Sequence, residues 1–468
     1  MDIKFHLMKQ LLLVAGLLAI HSLSAQHEFD NWYFGTNAGV SFVSGSPVNL
    51  SGGQISTIEG CSSISDGAGN LLFYTDGLVV YNKNHNFMPN GTGLLGDLSS
   101  TQSALIVSDP GNANQYYIFT TDNYWGNDGL RYSIVDMTLN GGNGDIGAVK
   151  NIQLLNTCDE KLTGIQNSAG NGFWIVSHGP SNTSNSYYAY PLTAAGVGAP
   201  VVSSVGPMFS SGASYIGCMK ISPAGNYIAR AMYNEYAGEI AEFDITTGVV
   251  SNPSTYIAPA QDYMYGVEFS ANGNVLYMMS GDYTPSKLFQ FDMTAGTTAA
   301  IAATGTVLDA DNSQLSGAIQ IASNNKIYVS HPGTQSLGII NDPDVLGLGC
   351  NYVRNGFALN ATTTIGLPNA LSNNVIAGII PTLFRGDCVN YYPVPAYNYL
   401  NIHSDVFNGN SIEFSAYNML GEEVITPTSI IPDKDKTGQA DVSELAGGMY
   451  CIKIITGDSI LYGRFLKK

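Results

Sequence analysis

From about residue 30 to residue 375, short stretches alternate hydrophobic with polar side chains, and Gly, Asn, Asp and Ser fill the gaps. A period of two marks strands, and no useful length carries the 3.6-residue apolar stripe of a helix. The stretches recur in order: a strand, a Ser-x-x-Gly-Asn-like turn, then an aromatic strand. Clear copies start at Ser65, Ser168, Ser222 and Ser270, another spans Ala322 to Asn325, and a looser one starts at Ser108. Aligning Gly69, Gly111, Gly170, Gly225, Gly273 and Asn324 gives intervals of 42, 59, 55, 48 and 51 residues. A third strand follows in most units and ends in Asp or a substitute, as at Asp136, Asp244, Asp292 and Asn341. A period near fifty with three or four strands per unit predicts an all-β protein built as a β-propeller. Seven blades are expected, with six as the alternative. Residues near 31–56 are expected to complete the blade that begins near 317, so that no sheet edge stays open.

The two ends read differently from this body. Lys4 and Lys9 precede an apolar run from Leu11 to Ile20, and Ser22 to Gln26 are mostly small. This is the pattern of a secretory signal peptide over 1–25, cut between Ala25 and Gln26, and it is too short for a resident membrane span. At the other end stand Tyr392-Pro393-Val394-Pro395, Asn418-Met419-Leu420-Gly421, Gly447-Gly448-Met449-Tyr450 and the closing Phe465-Leu466-Lys467-Lys468. This succession resembles the type A C-terminal sorting domain of Bacteroidetes type IX secretion cargo, although Val394 replaces the usual Asn. The resemblance implies a small β-sandwich over 386–468, recognised by the type IX machinery and acted on by its sortase. The body, 26–385, resembles a propeller-like region of Bacteroidetes surface proteins, some of them gliding-associated. Asn31-Trp32-Tyr33-Phe34-Gly35, Phe73-Tyr74-Thr75-Asp76-Gly77 and Gly366-Leu367-Pro368-Asn369 carry that likeness. No catalytic residue comes with it.

Composition agrees with an extracellular β-protein. Charged residues make up 12% and the net charge is -18. An acidic body disfavours nucleic acid and anionic lipid. Six cysteines show no C-x-x-C spacing, which leaves zinc-ribbon and thioredoxin-like chemistry without support. A circular fold would bring Cys61 near Cys350, and a disulfide between them is an expectation. No nucleophile elbow, zincin, P-loop or EF-hand motif occurs, and Ser323-x-x-Lys326 sits in a repeat turn. No cofactor is expected. The nearest approach to Ca²⁺ ligands lies at Asp309–Asn312 and Asn341–Asp344, where turn chemistry explains the same residues.

If the repeat turns line one face, the next loop of each unit lines the other. Those loops carry Tyr124, Trp125, His178, Tyr233, Tyr236, Tyr283 and His331. Aromatic rings with polar neighbours suit uncharged ligands such as glycans, so this face is the candidate binding surface. The expected function is a secreted or cell-surface binding and interaction module, with a glycan or another surface protein as partner. The alternative is an extracellular propeller enzyme acting on glycans or lactones, which needs two carboxylates or an open metal converging at the channel.

Overall fold

The computed structural model describes residues 27–372 and 389–467, apart from positions 124, 210–211, 282–285, 312–313, 393–395, 405–406, 408–410, 419–422, 435 and 457–458. The chain forms two compact units, 1–379 and 380–468.

The described part of the first unit holds seven antiparallel sheets in chain order. Blade 1 has three strands, Asn31–Phe34, Ala38–Ser41 and Val48–Asn49. Blade 2 starts at Ser62–Ser65, blade 3 at Ala104–Asp109 and blade 4 at Leu162–Gln166. Blades 5, 6 and 7 start at Met219–Ile221, Met264–Phe269 and Ile319–Ile321. Each of blades 2, 5, 6 and 7 is a four-stranded meander, whereas blades 3 and 4 attach two short pieces to the third strand. Blade 1 lies between blades 7 and 2. Its Trp32 meets Tyr328 edge-on at 5.8 Å, and its Tyr33 stacks on Tyr74 at 4.5 Å. The body is a seven-bladed β-propeller.

The repeat turn is the hairpin between first and second strands. Its polar side chain holds the loop: Asp66 Oδ1 accepts from Ala68 and Asn70 N–H, and Ser222 Oγ accepts from Asn226 and Tyr227 N–H. The turn needs a left-handed residue, and Gly69, Gly170, Gly225 and Gly273 supply it at φ between 68° and 83°. In the last copy Asn325 takes that conformation at φ 61°, one residue after the sequence alignment placed it. The aspartates ending the third strands have a matching role. Asp136, Asp244 and Asp292 each accept from the backbone N–H two residues on, as an Asx turn does.

Closure differs from the expectation. Blade 7 supplies its own fourth strand, Tyr352–Ala358, so residues 31–49 are not needed to finish it. The ends meet through a strap instead. Thr36 N–H donates to Thr362 O, Ile365 N–H to Ile58 O and Ala318 N–H to Ile365 O. The strap continues to Asn369, whose side chain donates to Ala104 O and Leu162 O and accepts from Gln102 and Lys220. Those partners belong to blades 3, 4 and 5 or lead into them, and Ser62 of blade 2 donates to Asn369 O. Only a residue on the ring axis can reach four blades, so the strap fills the middle of the propeller. Lys220, Glu268 and Gln320 continue this polar axial lining, Lys220 donating to Gln320 Oε1 at 2.7 Å.

The Cys61–Cys350 disulfide is absent: both thiols are buried and unpaired. Cys61 stands at the axis beside Pro368, while Cys350 lies in the turn between the third and fourth strands of blade 7. Ring closure brings neighbouring blades together, not an inner strand and an outer turn. Burial also pushes the Cys61 thiol well above the ordinary range. Alkylation of the native chain is therefore expected to miss Cys61, Cys158 and Cys218, and denaturant to expose all three. A Cys61–Cys350 cross-linked peptide in a non-reducing digest would contradict this.

The described part of the second unit is two sheets enclosing one apolar core. Val389–Tyr392, Tyr399–Ser404 and Thr437–Asp441 form one. Glu423–Ile430, Ile412–Asn418, Gly448–Thr456 and Ser459–Lys467 form the other. Leu400, Ile402, Phe414, Ile452, Ile454 and Phe465 pack between them.

Candidate functional site

In each blade the loop from second to third strand lies at the same end as the segment that leads into the first strand. At this end of blades 3 to 5 a buried ionic cluster shapes the surface. Asp159, Lys161, His178, Arg230 and Glu239 are all fully buried. Arg230 Nε donates to Glu239 Oε1 at 2.8 Å, and its guanidinium lies over the Tyr187 ring. Asp159 accepts from Ser181 N–H and hydroxyl, which pins the loop after the second strand of blade 4. Burial alone would raise the Asp159 carboxyl, but Lys161, His178 and Arg230 hold it below the usual carboxylate range. Lys161 Nζ donates to Ser214 O, Tyr215 O and Ile216 O at 3.0, 2.7 and 3.0 Å. Three carbonyls use all three N–H bonds of an ammonium group, so this lysine fixes the segment carrying Tyr215.

A pocket of about 250 Å³ opens between these anchored loops. Its walls include Asp122, Asn123, Thr157, Pro180, Asn182 and Tyr215. Asp122 Oδ1 accepts from Asn123 N–H at 2.8 Å and Oδ2 from Asp128 N–H at 2.9 Å. Gly126 passes so close to this carboxylate that a Cβ there would lie 1.7 Å from Oδ2. Glycine is the one residue that permits that approach.

The sequence-derived surface is only partly at the surface. Trp125 is 77% exposed on the loop that borders the pocket. His178 and His331 are fully buried and do not face ligand. Both histidines fasten the end of a second strand to the segment entering the same blade. His178 Nδ1 lies 3.1 Å from Asp159 Oδ2 and 2.6 Å from Gly179 O, so this nitrogen carries the proton. Burial, then Arg230, keeps the ring's pKa low. His331 Nδ1 reaches Ser316 Oγ at 3.1 Å and Leu315 O at 3.2 Å. Tyr233 is buried against Tyr263, and half-buried Tyr236 directs its hydroxyl to Tyr263. Tyr124 and Tyr283 lie outside the described residues. Tyr215 and Asn182 were missed because they belong to no repeat position. The signal that could have found them is the Asp159-Glu160-Lys161 run, a charge block leading directly into a buried strand.

A second polar group occupies the axis at this end. Glu59 Oε2 accepts from Tyr265 hydroxyl at 2.6 Å and Oε1 from Ser99 at 3.1 Å. Thr101 hydroxyl donates to Glu160 Oε2 at 2.7 Å and also lies against Glu59. Burial, then the nearby Glu160, pushes the Glu59 carboxyl up to about 8.

Three of the Ca²⁺ candidates have an oxygen engaged by the protein. Asp309 pairs with Arg354, Asn341 Oδ1 accepts from Lys326, and Asp344 Oδ1 accepts from Asn272 N–H. Asn312 lies outside the described residues.

Of the sorting-tail residues, Tyr450 and Phe465 are core, stacked at 5.7 Å, and Tyr450 hydroxyl donates to Ala446 O. Lys467 is buried opposite Gly448, which follows Gly447 into its strand. Tyr392 and Asn418 are strand residues paired with Asn401 and Tyr450. Pro393, Pro395, Leu420, Gly421 and Lys468 lie outside the described residues, as do Ala25, Gln26 and the whole 1–25 segment.

Residues 390–468 match the family model of the secretion system C-terminal sorting domain. No curated protein matches the chain. Among solved structures it is similar to a Lactobacillus plantarum protein, at 12% identity and TM-score 0.46, over 72% of this chain and 98% of that one. It is similar to a candidate 6-phosphogluconolactonase from Bacteroides fragilis, at 11% identity and TM-score 0.44, over 72% and 97%. The β-propeller domain of Myceliophteria thermophila Cps50 is similar at 8% identity and TM-score 0.36, over 66% and 93%. The class is an all-β propeller carrying a secretion sorting tail. Export, to the cell surface or beyond it, is what that tail serves. Among the described residues no helix is long and apolar enough to cross a membrane.

Proposed function

We propose that the chain is cargo of a Bacteroidetes type IX secretion system, with a type A tail, and acts outside the cell as a binding module. The 1–25 segment takes it to the periplasm, and the tail hands it to the type IX machinery and its sortase. Recognition lies at the loop end of blades 3 to 5, for a surface glycan or another surface protein. The observation that carries this reading is the pocket between three loops, two held from behind by buried Asp159 and Lys161 and the third pinned by its own Asp122 carboxylate. Loops so anchored keep their shape without ligand, which favours binding by reducing the ordering cost. Deleting residues 388–468 is expected to leave a folded propeller in the periplasm, seen by fractionation with protease protection. Normal export of the truncated chain would refute the route. Screening the full chain on arrays of surface polysaccharides and outer-surface proteins tests recognition. Retention of neither would refute the binding role.

One observation favours a second reading, an enzyme acting on glycans or lactones. Glu59 and Glu160 meet at the axis around a shared hydroxyl, and Glu59 holds its proton near neutral pH. A proton-bearing carboxyl beside a second carboxyl is the arrangement of acid–base catalysis. Turnover of a glycan or lactone that disappears in Glu59→Gln would support it.

A further inference from the structure

We propose that the pocket between the loops of blades 3 and 4 and the Tyr215 segment takes a neutral, hydroxyl-rich sugar ring and discriminates against uronate, sulfate and phosphate groups. This rests on the binding reading above and names the ligand class for that site.

The first support is the chemistry of the walls. Asn182 and Tyr215 are hydrogen-bonded side chain to side chain and form one polar wall with the Tyr215 ring. Asn123 has its Oδ1 on Trp125 N–H and brings its amide N–H₂, Thr157 brings a hydroxyl, and Pro180 an apolar face. Among the described residues Asp122 accepts one backbone N–H on each oxygen, and a carboxylate has about four acceptor positions in all. Two adjacent hydroxyls of a sugar fit such a carboxylate as paired donors. A water occupies about 30 Å³ of liquid, so 250 Å³ holds roughly eight waters, the scale of a single ring. Trp125, exposed between two lining residues, supplies a stacking surface for the next ring.

The second support is the sign of the field. Among the described residues no lysine or arginine lines the pocket. The cations behind the walls are paired and turned inward: Arg131 with Asp128, Lys161 under its three carbonyls, and fully buried Arg230 against Glu239. Asp122 lines the opening, Asp159 lies behind Ser181, and the chain as a whole is at -18. An anionic ligand would meet the Asp122 carboxylate and, among the described lining residues, no cation.

The third support is rigidity. Ser181 is fixed by Asp159, Tyr215 by Lys161 and Asp128 by the Asp122 carboxylate, so the wall groups are aimed before ligand arrives.

The experiment titrates the full chain with linear trimers of glucose, galactose, N-acetylglucosamine and galacturonic acid, read by tryptophan fluorescence and calorimetry. At least one neutral trimer is expected to bind, and galacturonate at least ten-fold more weakly. Asp122→Asn is expected to weaken the neutral trimer ten-fold or more and to narrow its advantage over galacturonate. Asn182→Ala, which leaves the buried anchors intact, should weaken it several-fold. Galacturonate binding as tightly as the best neutral trimer overturns the proposal, as does neutral binding indifferent to both variants. If no trimer binds while an outer-surface protein is retained on the array, this proposal fails and the recognition reading stands. If nothing is retained at all, both fail.

Discussion

Replacing Asn369 with alanine is expected to lower the stability of the propeller by about 3 kcal/mol or more, read by denaturant unfolding of the full chain. The side chain is buried on the axis and donates to Ala104 O and Leu162 O while accepting from Gln102 and Lys220. Removing it leaves two carbonyls and a buried ammonium short of a partner, at roughly 1–3 kcal/mol for each group left unsatisfied. Those groups belong to blades 3, 4 and 5, so the loss acts on the ring as a whole. Asn369→Asp keeps an acceptor for Lys220 but turns a carboxylate oxygen onto the Ala104 and Leu162 carbonyls in a buried site, so it should be at least as destabilising as alanine. A loss under 1 kcal/mol for the alanine variant would mean that the strap is not what closes the ring.

Much of this ring was legible in the sequence, for local reasons. A hairpin closed by Ser222 Oγ or Asp66 Oδ1 needs a capping oxygen, a left-handed residue and a strand on each side, all within about ten residues. Such a unit leaves the same trace wherever it recurs. The copy at Ser108 was looser because its hairpin is a different turn, with Asp109 paired directly to Asn112. Closure was not legible. Residues 31–49 and 362–369 meet across some three hundred positions, and no periodicity reports a contact that occurs once. The site was half legible for a related reason. The repeat located the loops, and Trp125 stands on one of them. Whether a loop residue faces water or the blade depends on the segment that enters that blade. Asp159 and Ser316 are what turn His178 and His331 inward, and neither is a repeat position. Tyr450 and Phe465 show the converse case, where the residues of a sorting motif are also the core of its sandwich.

Glu59→Gln is expected to make the propeller more stable in alkali while changing little in acid. The Glu59 carboxyl is raised from 4.5 to about 8, chiefly by burial and then by Glu160, whereas Tyr265, Ser99 and Thr101 act to lower it. A carboxyl raised in the folded state binds its proton more tightly there than in the unfolded chain. Its contribution is therefore fully present below about pH 4.5 and is lost as pH climbs to about 8, where the loss levels off. The full shift corresponds to roughly 4–5 kcal/mol, an upper figure because part of it comes from the neighbouring Glu160 carboxyl rather than from burial. Glutamine fills the same volume, keeps an acceptor for the Tyr265 hydroxyl and cannot ionise. Lys161, pushed down to about 8 by burial, also titrates in this range, but it is common to both proteins and cancels in their difference. The measurement is paired unfolding of wild type and variant from pH 5 to pH 9. The gap should open in favour of glutamine from pH 5 to about pH 8 and stay level beyond it. A constant gap would show that the axial carboxyl stays ionised throughout, and the proton-sharing arrangement of Glu59 with Glu160 would have to be abandoned along with the acid–base reading built on it.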